Sequence, residues 1–267
     1  MLWNVMTTGN LTVLEAFDAL RKAIHNMPDG APAPTVPFFV QWKTVGRHYL
    51  SQWVDDLEAT VAAAVSSRTD AAASGLSATG AKDLEHSLWR LDAAVDKLVK
   101  TLALTLGVGV LQLNQARNGV VFRLDPRQVS AKLKELSATS QASLKLYELL
   151  QQLREHPSRD LRNDVSHSLS PIGNPTPLVH FAVVYSTGGH HQLPQARMLY
   201  SNSVPWDSKD MTAESVWLRT VAIAGDALWL LTQAIDTAAQ VVETAGRLEP
   251  PPTVYYDLDT GHAALKA

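Results

Sequence analysis

The chain has 267 residues, 46% of them hydrophobic and 18% charged, with no cysteine and a formal net charge of -3. That length supports a core without staples, and the lack of Cys excludes a disulfide framework, a thiolate zinc site, an iron–sulfur cluster and a cysteine nucleophile. A mildly acidic chain is not a generic nucleic-acid coat, so any RNA contact must come from a local basic patch.

The charged fraction lies below the usual level of about 25%. Either a partner covers some apolar surface or the core is simply large, and composition leaves both open. Residues 1–14 lack a basic segment followed by an apolar run, so they do not read as a signal peptide. The longest apolar stretch, residues 102–113, is broken by Gly107 and Gly109. It falls well short of the ~20 residues a membrane helix needs. The expectation is a cytoplasmic protein with no membrane contact.

In chain order, Thr12 and Glu15 form a capping-box pattern, and Val13, Phe17, Leu20 and Ile24 follow at helical spacing. Pro28, Pro32, Pro34 and Pro37 make the next stretch a loop. Phe39, Trp42, Gly46, Tyr49, Trp53, Leu57, Val61 and Ala64 then alternate by threes and fours, which predicts a long helix. Residues 66–80 are rich in Ala, Ser and Gly, and a flexible connection is expected there. Leu84, Leu88, Leu91, Val95, Leu98, Leu102 and Leu106 predict a third helix, as a bundle core rather than a separate zipper.

Val120, Val121 and Phe122 fit a short strand after the Asn118-Gly119 turn. Asp125 is placed to cap a helix with Pro126 at its first position. Val129, Leu133, Leu136, Leu144, Tyr147, Leu150 and Leu153 line that helix, which has a polar middle and ends or kinks at Pro157. Ser158 caps a short helix over 159–169. Residues 178–200 read as a β-hairpin turning at Gly188-Gly189. Thr212 starts the last long helix, lined by Trp217, Val221, Ala224, Leu228, Leu231, Ile235, Ala238 and Val242.

The resulting expectation is an all-α protein, an up-and-down bundle of about five to six helices with a small inserted β-hairpin. Its parts are an N-terminal helix and Pro-rich loop over 1–37, the bundle over 38–249, and an extended tail over 250–267.

The stretch with chemistry runs from Arg154 to Leu169 and contains Arg162-Asn163-x-x-x-His167. On a helix, Leu161, Val165 and Leu169 share one face, while Asn163 and His167 lie on the opposite one. Arg162 sits at the flank. His167 is therefore either plain surface or part of a site completed by another element or subunit. Asn163 is placed to hold an imidazole tautomer, and Arg162 supplies a fixed fork for phosphate.

This motif resembles the signature of the HEPN superfamily, an Arg and a His a few residues apart with Asn common directly after the Arg. The flanking Leu161-Arg-Asn-Asp-Val-Ser-His-Ser-Leu169 also looks like family members. The resemblance implies a helical bundle with the motif at or near a helix start. It further implies a metal-independent endoribonuclease that uses no cofactor and works as a homodimer with two motifs facing each other. His167 would act as general acid or base, Arg162 would stabilise the scissile phosphate, and Asn163 would orient both. Products would carry a 2′,3′-cyclic phosphate, or its hydrolysed form, and a 5′-hydroxyl. The setting implied is a toxin or phage-defence effector with an antitoxin or defence partner. Arg154 and Arg159 add local positive charge for RNA, diluted by Glu155, Asp160 and Asp164.

Two other readings stay open. One is a HEPN module that binds a nucleotide, RNA or partner protein without catalysis. The other is an unrelated scaffold carrying the motif by accident. No metal site is expected: His190 and His191, with His180 nearby, lack a carboxylate at ligand spacing. Trp42, Trp53, Trp89, Trp217 and Trp229 fall on or beside helical stripes, so packing is expected of them rather than base stacking.

Overall fold

The computed structural model describes residues 12–29, 42–108, 110–114, 119–123, 126–167, 213–247, 254–256 and 263–265. Thr12 opens the first helix, α1 (Val13–Asn26), through the capping box expected of it. Its amide donates to Glu15 Oε2 at 2.8 Å, and Glu15 N–H donates to Thr12 Oγ1 at 3.2 Å. The Thr12 amide, joined by the Thr12 hydroxyl donating to the same Oε2 at 2.9 Å, holds the exposed Glu15 carboxyl below its ordinary pKa, because both bonds favour the ionised form. Then come α2 (Trp42–Ser74), α3 (Ala78–Thr105), β1 (Val110–Asn114), β2 (Gly119–Arg123), α4 (Pro126–Leu136), α5 (Gln141–Glu155), α6 (Pro157–His167), α7 (Ala213–Ala245), β3 (Val254–Tyr256) and β4 (Ala263–Leu265). The architecture is a helical bundle. No helix among the described residues is long and apolar enough to cross a membrane.

Two compact units divide the chain. One comprises residues 9–57, 96–150 and 232–267. Its core holds Phe17 and Leu20 of α1, Leu50 and Leu57 of α2, Leu98 and Leu102 of α3, and Leu133 of α4. Arg21 ties α1 to Asp55 of α2, with Nη2 to Oδ1 at 3.0 Å. Here β1 pairs antiparallel with β2, Val110 opposite Arg123 and Asn114 opposite Gly119. The strand expected at 120–122 is present, and its partner lies in the apolar stretch read only as too short for a membrane. In the tail, β3 and β4 pair antiparallel. The hairpin expected near 178–200 lies outside the described residues.

The other unit comprises residues 1–8, 58–95 and 151–231. Small residues let its helices approach closely. Ser87 Oγ of α3 donates to the Ala64 carbonyl of α2 at 2.9 Å, and Arg90 Nη1 donates to the Ala63 carbonyl at 2.9 Å. Arg68 Nε of α2 donates to the Val221 carbonyl of α7 at 3.0 Å. Gly225 makes room for that guanidinium, since a Cβ there would lie 2.6 Å from Arg68 Nη2. Burial lowers the Arg68 pKa, and the Asp226 carboxylate offsets part of that.

The structure corrects two breaks. The connection expected over 66–80 shrinks to residues 75–77, and α2 runs on to Ser74. Alanine is the strongest helix former, and Ala71 is fully buried. The turn comes at Gly75, whose φ of 60° suits a residue without Cβ. Ser77 then caps α3, its Oγ accepting the Gly80 N–H at 3.0 Å.

Conversely, the single helix expected after Pro126 is two. Ser137 Oγ donates to the Lys134 carbonyl at 2.7 Å and ends α4. Ser140 Oγ accepts the Ser143 N–H at 3.2 Å and starts α5. Such hydroxyls compete with the helix ladder, which is why they gather at helix ends. After that restart Leu146, Leu149 and Leu153 are buried, while Leu144 and Tyr147 are only half-buried.

Candidate functional site

The candidate motif sits on α6, which belongs to the unit containing residues 58–95 and 151–231. The helix begins two residues earlier than expected, at Pro157, where the missing amide N–H costs nothing. Its cap is His156 rather than Ser158. The Ser158 N–H donates to His156 Nδ1 at 3.2 Å, and Ser158 Oγ lies 3.0 Å from the same nitrogen. An imidazole lone pair thus does the work usually given to a hydroxyl or carboxylate oxygen. Accepting at Nδ1 places the ring proton on Nε2.

Burial pushes the His156 pKa down from the ordinary value of 6.5, and the Asp226 carboxylate opposes that shift. A histidine whose folded pKa is depressed binds fewer protons folded than unfolded. Its stabilising contribution is then complete above the unfolded pKa and is lost as pH falls through 6.5 toward the folded value. Protonation also places a proton on the nitrogen that accepts the cap. We therefore expect the melting temperature of the wild type to fall as pH is lowered from neutral into this window. His156→Asn keeps a capping oxygen and removes the titration, so part of that pH dependence should disappear. Thermal denaturation across the window checks this, and parallel curves for the two proteins would refute it.

Leu161 anchors α6, with no exposed surface. Next to it, Arg162 reaches α3 and forms an ion pair with Asp92 through Nη2 and Oδ2. The same guanidinium lies 5.7 Å from the centre of the Trp89 ring. Asp92 and Trp89 are three residues apart on α3 and so share a side of it. Arg162 is the more enclosed partner, its side chain 18% exposed against 35% for Asp92. An Arg held by a carboxylate and an aromatic face is fixed in direction, which is what planar recognition of phosphate requires. It is also partly neutralised, so a phosphate reaching it must share it with Asp92.

For residues 163–167 the backbone alone is described. It is helical throughout, so Asn163 and His167 stand one turn apart. Arg159 is exposed one turn before Asn163, and the register sets Arg159, Asn163 and His167 on successive turns. Arg154 is half-buried near the end of α5, across the break at His156. The structure therefore joins Arg159 to the motif helix and places Arg154 on another element.

Sequence reasoning passed over Asp92, gave Trp89 to packing, and counted His156 with the local positive charge near Arg154, Arg159 and Arg162 rather than as the cap of α6. Nothing in the chain links Asp92 to a residue 70 positions away. The i, i+3 pair of Trp89 and Asp92 was visible but has no meaning until α6 lies beside it. Among the five Trp assigned to packing, Trp217 is buried, but Trp89 is 48% exposed and Trp229 43%. That expectation is corrected for these two, because both point off the stripe that forms the core.

No group of three or more His, Cys, Asp or Glu able to hold a metal occurs among the described residues. His180, His190 and His191 lie outside them. Compared with protein-family models, curated proteins and solved structures, the chain matches none.

Proposed function

We propose that α6 carries the active centre of a HEPN-type endoribonuclease that cleaves RNA without a metal. The observation that supports this reading is the placement of Arg162, Asn163 and His167 within one continuous helix, anchored by Leu161. In the proposed reaction the ribose 2′-oxygen attacks the adjacent phosphorus and the bond to the 5′-oxygen breaks. His167 removes the 2′-hydroxyl proton or donates one to the leaving oxygen. Arg162 offsets the charge that grows on the phosphoryl oxygens. Asn163 orients the imidazole. A homodimer would bring a second copy of the motif to supply the complementary proton transfer. A toxin or defence role, with its partner protein, belongs to the same proposal.

One observation favours a second reading. Asp92 already engages Arg162, as it would in a module that binds RNA or a nucleotide without cleaving it. Incubating total RNA and tRNA in EDTA with the purified wild type and His167→Ala separates the two. Cleavage by the wild type alone is the expected result. No cleavage by either protein would favour the binding module. Equal cleavage by both would remove His167 from the chemistry.

A further inference from the structure

The outward side of α3 carries a second feature. Lys82, His86, Trp89 and Ala93 are all exposed and follow one another by fours and threes, and the next member of the series, Asp96, is exposed and ion-paired with Lys100. This side lies opposite the buried stripe of Leu84, Leu88 and Leu91. Its large apolar group is an indole, 48% exposed. Arg162 from α6 sits against that ring at 5.7 Å from its centre. Lys82 lies two turns before it, and the adjacent carboxylate, Asp92, is engaged by Arg162.

We propose that this side of α3 is a docking track for single-stranded RNA, on which Trp89 stacks one unpaired base. The inference rests on the reading that α6 acts on RNA, and it names the substrate class. Three observations favour it. First, a protein partner would be met by a continuous apolar patch, whereas the other apolar side chain among these four is only a methyl group. An aromatic plane flanked by cations is instead what single-stranded binders present, because every base has a face to stack and every link carries a phosphate. Second, the guanidinium against the indole holds the ring in place, so less side-chain freedom is lost when a base arrives. Third, this platform borders the residue proposed to meet the scissile phosphate, so a base stacked on Trp89 sets the register of the strand against α6. A base within a duplex cannot reach such a surface, which selects loops, bulges and ends.

The test uses the full chain in a His167→Ala background, which prevents cleavage during binding. The probes are a fluorescein-labelled oligouridylate of roughly 10 nucleotides and the corresponding RNA duplex, read by anisotropy. Tighter binding of the single strand is expected, with a loss of about 5- to 100-fold on Trp89→Ala and little loss on Trp89→Phe. Lys82→Ala should weaken binding less and flatten its salt dependence. Circular dichroism and sedimentation confirm that each variant is folded and report its oligomeric state. Single-strand binding that Trp89→Ala leaves unchanged overturns the platform, as does a duplex bound as tightly as the single strand. A dimer that dissociates on Trp89→Ala also overturns it, because that side is then a self-association surface. Cleavage by protein with His167 intact is measured in parallel. Cleavage together with Trp89-independent binding sinks only the platform. Neither cleavage nor binding sinks the nuclease reading along with it.

Discussion

If α6 acts as the proposed ribonuclease centre, Arg162→Ala is expected to lower RNA cleavage by roughly two to three orders of magnitude, the usual effect of removing one donor that meets developing charge. The same change should also lower stability, because Arg162 is a packed residue as well as a charged one. Alanine leaves Asp92 half-buried without its cation and removes the group lying against Trp89. For a pair this exposed we expect a loss of about 1–3 kcal/mol, below the range for fully buried pairs. A fall in activity alone would therefore not distinguish chemistry from collapse of α6.

Two further variants make the distinction. Arg162→Lys keeps the charge and loses the planar fork, so it should recover only part of the activity. Asp92→Asn keeps the shape and an oxygen for Nη2, and it should retain cleavage to within about tenfold while losing part of the stability. Steady-state cleavage of a fluorogenic oligonucleotide and urea denaturation, both on all three variants, supply the numbers. If Asp92→Asn loses as much cleavage as Arg162→Ala, the pair acts through structure and Arg162 need not touch phosphate.

Leu161→Ala carries the second large effect, a destabilisation of about 2–5 kcal/mol as expected for a fully buried leucine. Its place in the fold makes the loss local as well. Helix α6 has 11 residues, and isolated helices below ~12–15 residues are marginal in water. Its helicity therefore depends on docking, and Leu161 is its fully buried apolar anchor. The variant should lose hydrogen-exchange protection across α6 before α1, where Phe17 and Leu20 remain buried. It should also lose cleavage, because Arg162, Asn163 and His167 ride on that helix. Unchanged protection of α6 amides in Leu161→Ala would show that another contact holds the helix.

Much of the bundle was legible from local pattern. Every member of the stripe from Trp217 to Val242 proposed for the last helix is buried. The Thr12–Glu15 capping box is formed as expected. In these places a residue's role follows from neighbours within one or two turns. Legibility failed where two local signals competed. The serines and alanines over 66–74 read as a connection, yet the helix continues, because Ser67 and Arg68 face other helices and alanine costs the helix nothing. The hydroxyls over 137–140 read as the polar middle of one helix, yet they end one and start another.

The candidate site divides along the same line. From the sequence alone come the helical periodicity, the absence of cysteine chemistry, and the spacing that puts Arg162, Asn163 and His167 on one short helix. Each depends on residue type and on separations of a few positions, which the α-helix converts directly into geometry. Tertiary structure alone decided that Asp92 holds Arg162, that Trp89 lies exposed beside it, and that His156 caps α6. These pairings depend on which surfaces of α3, α6 and α7 meet. That choice is made by burial summed over the whole unit, and no local stretch of sequence encodes it.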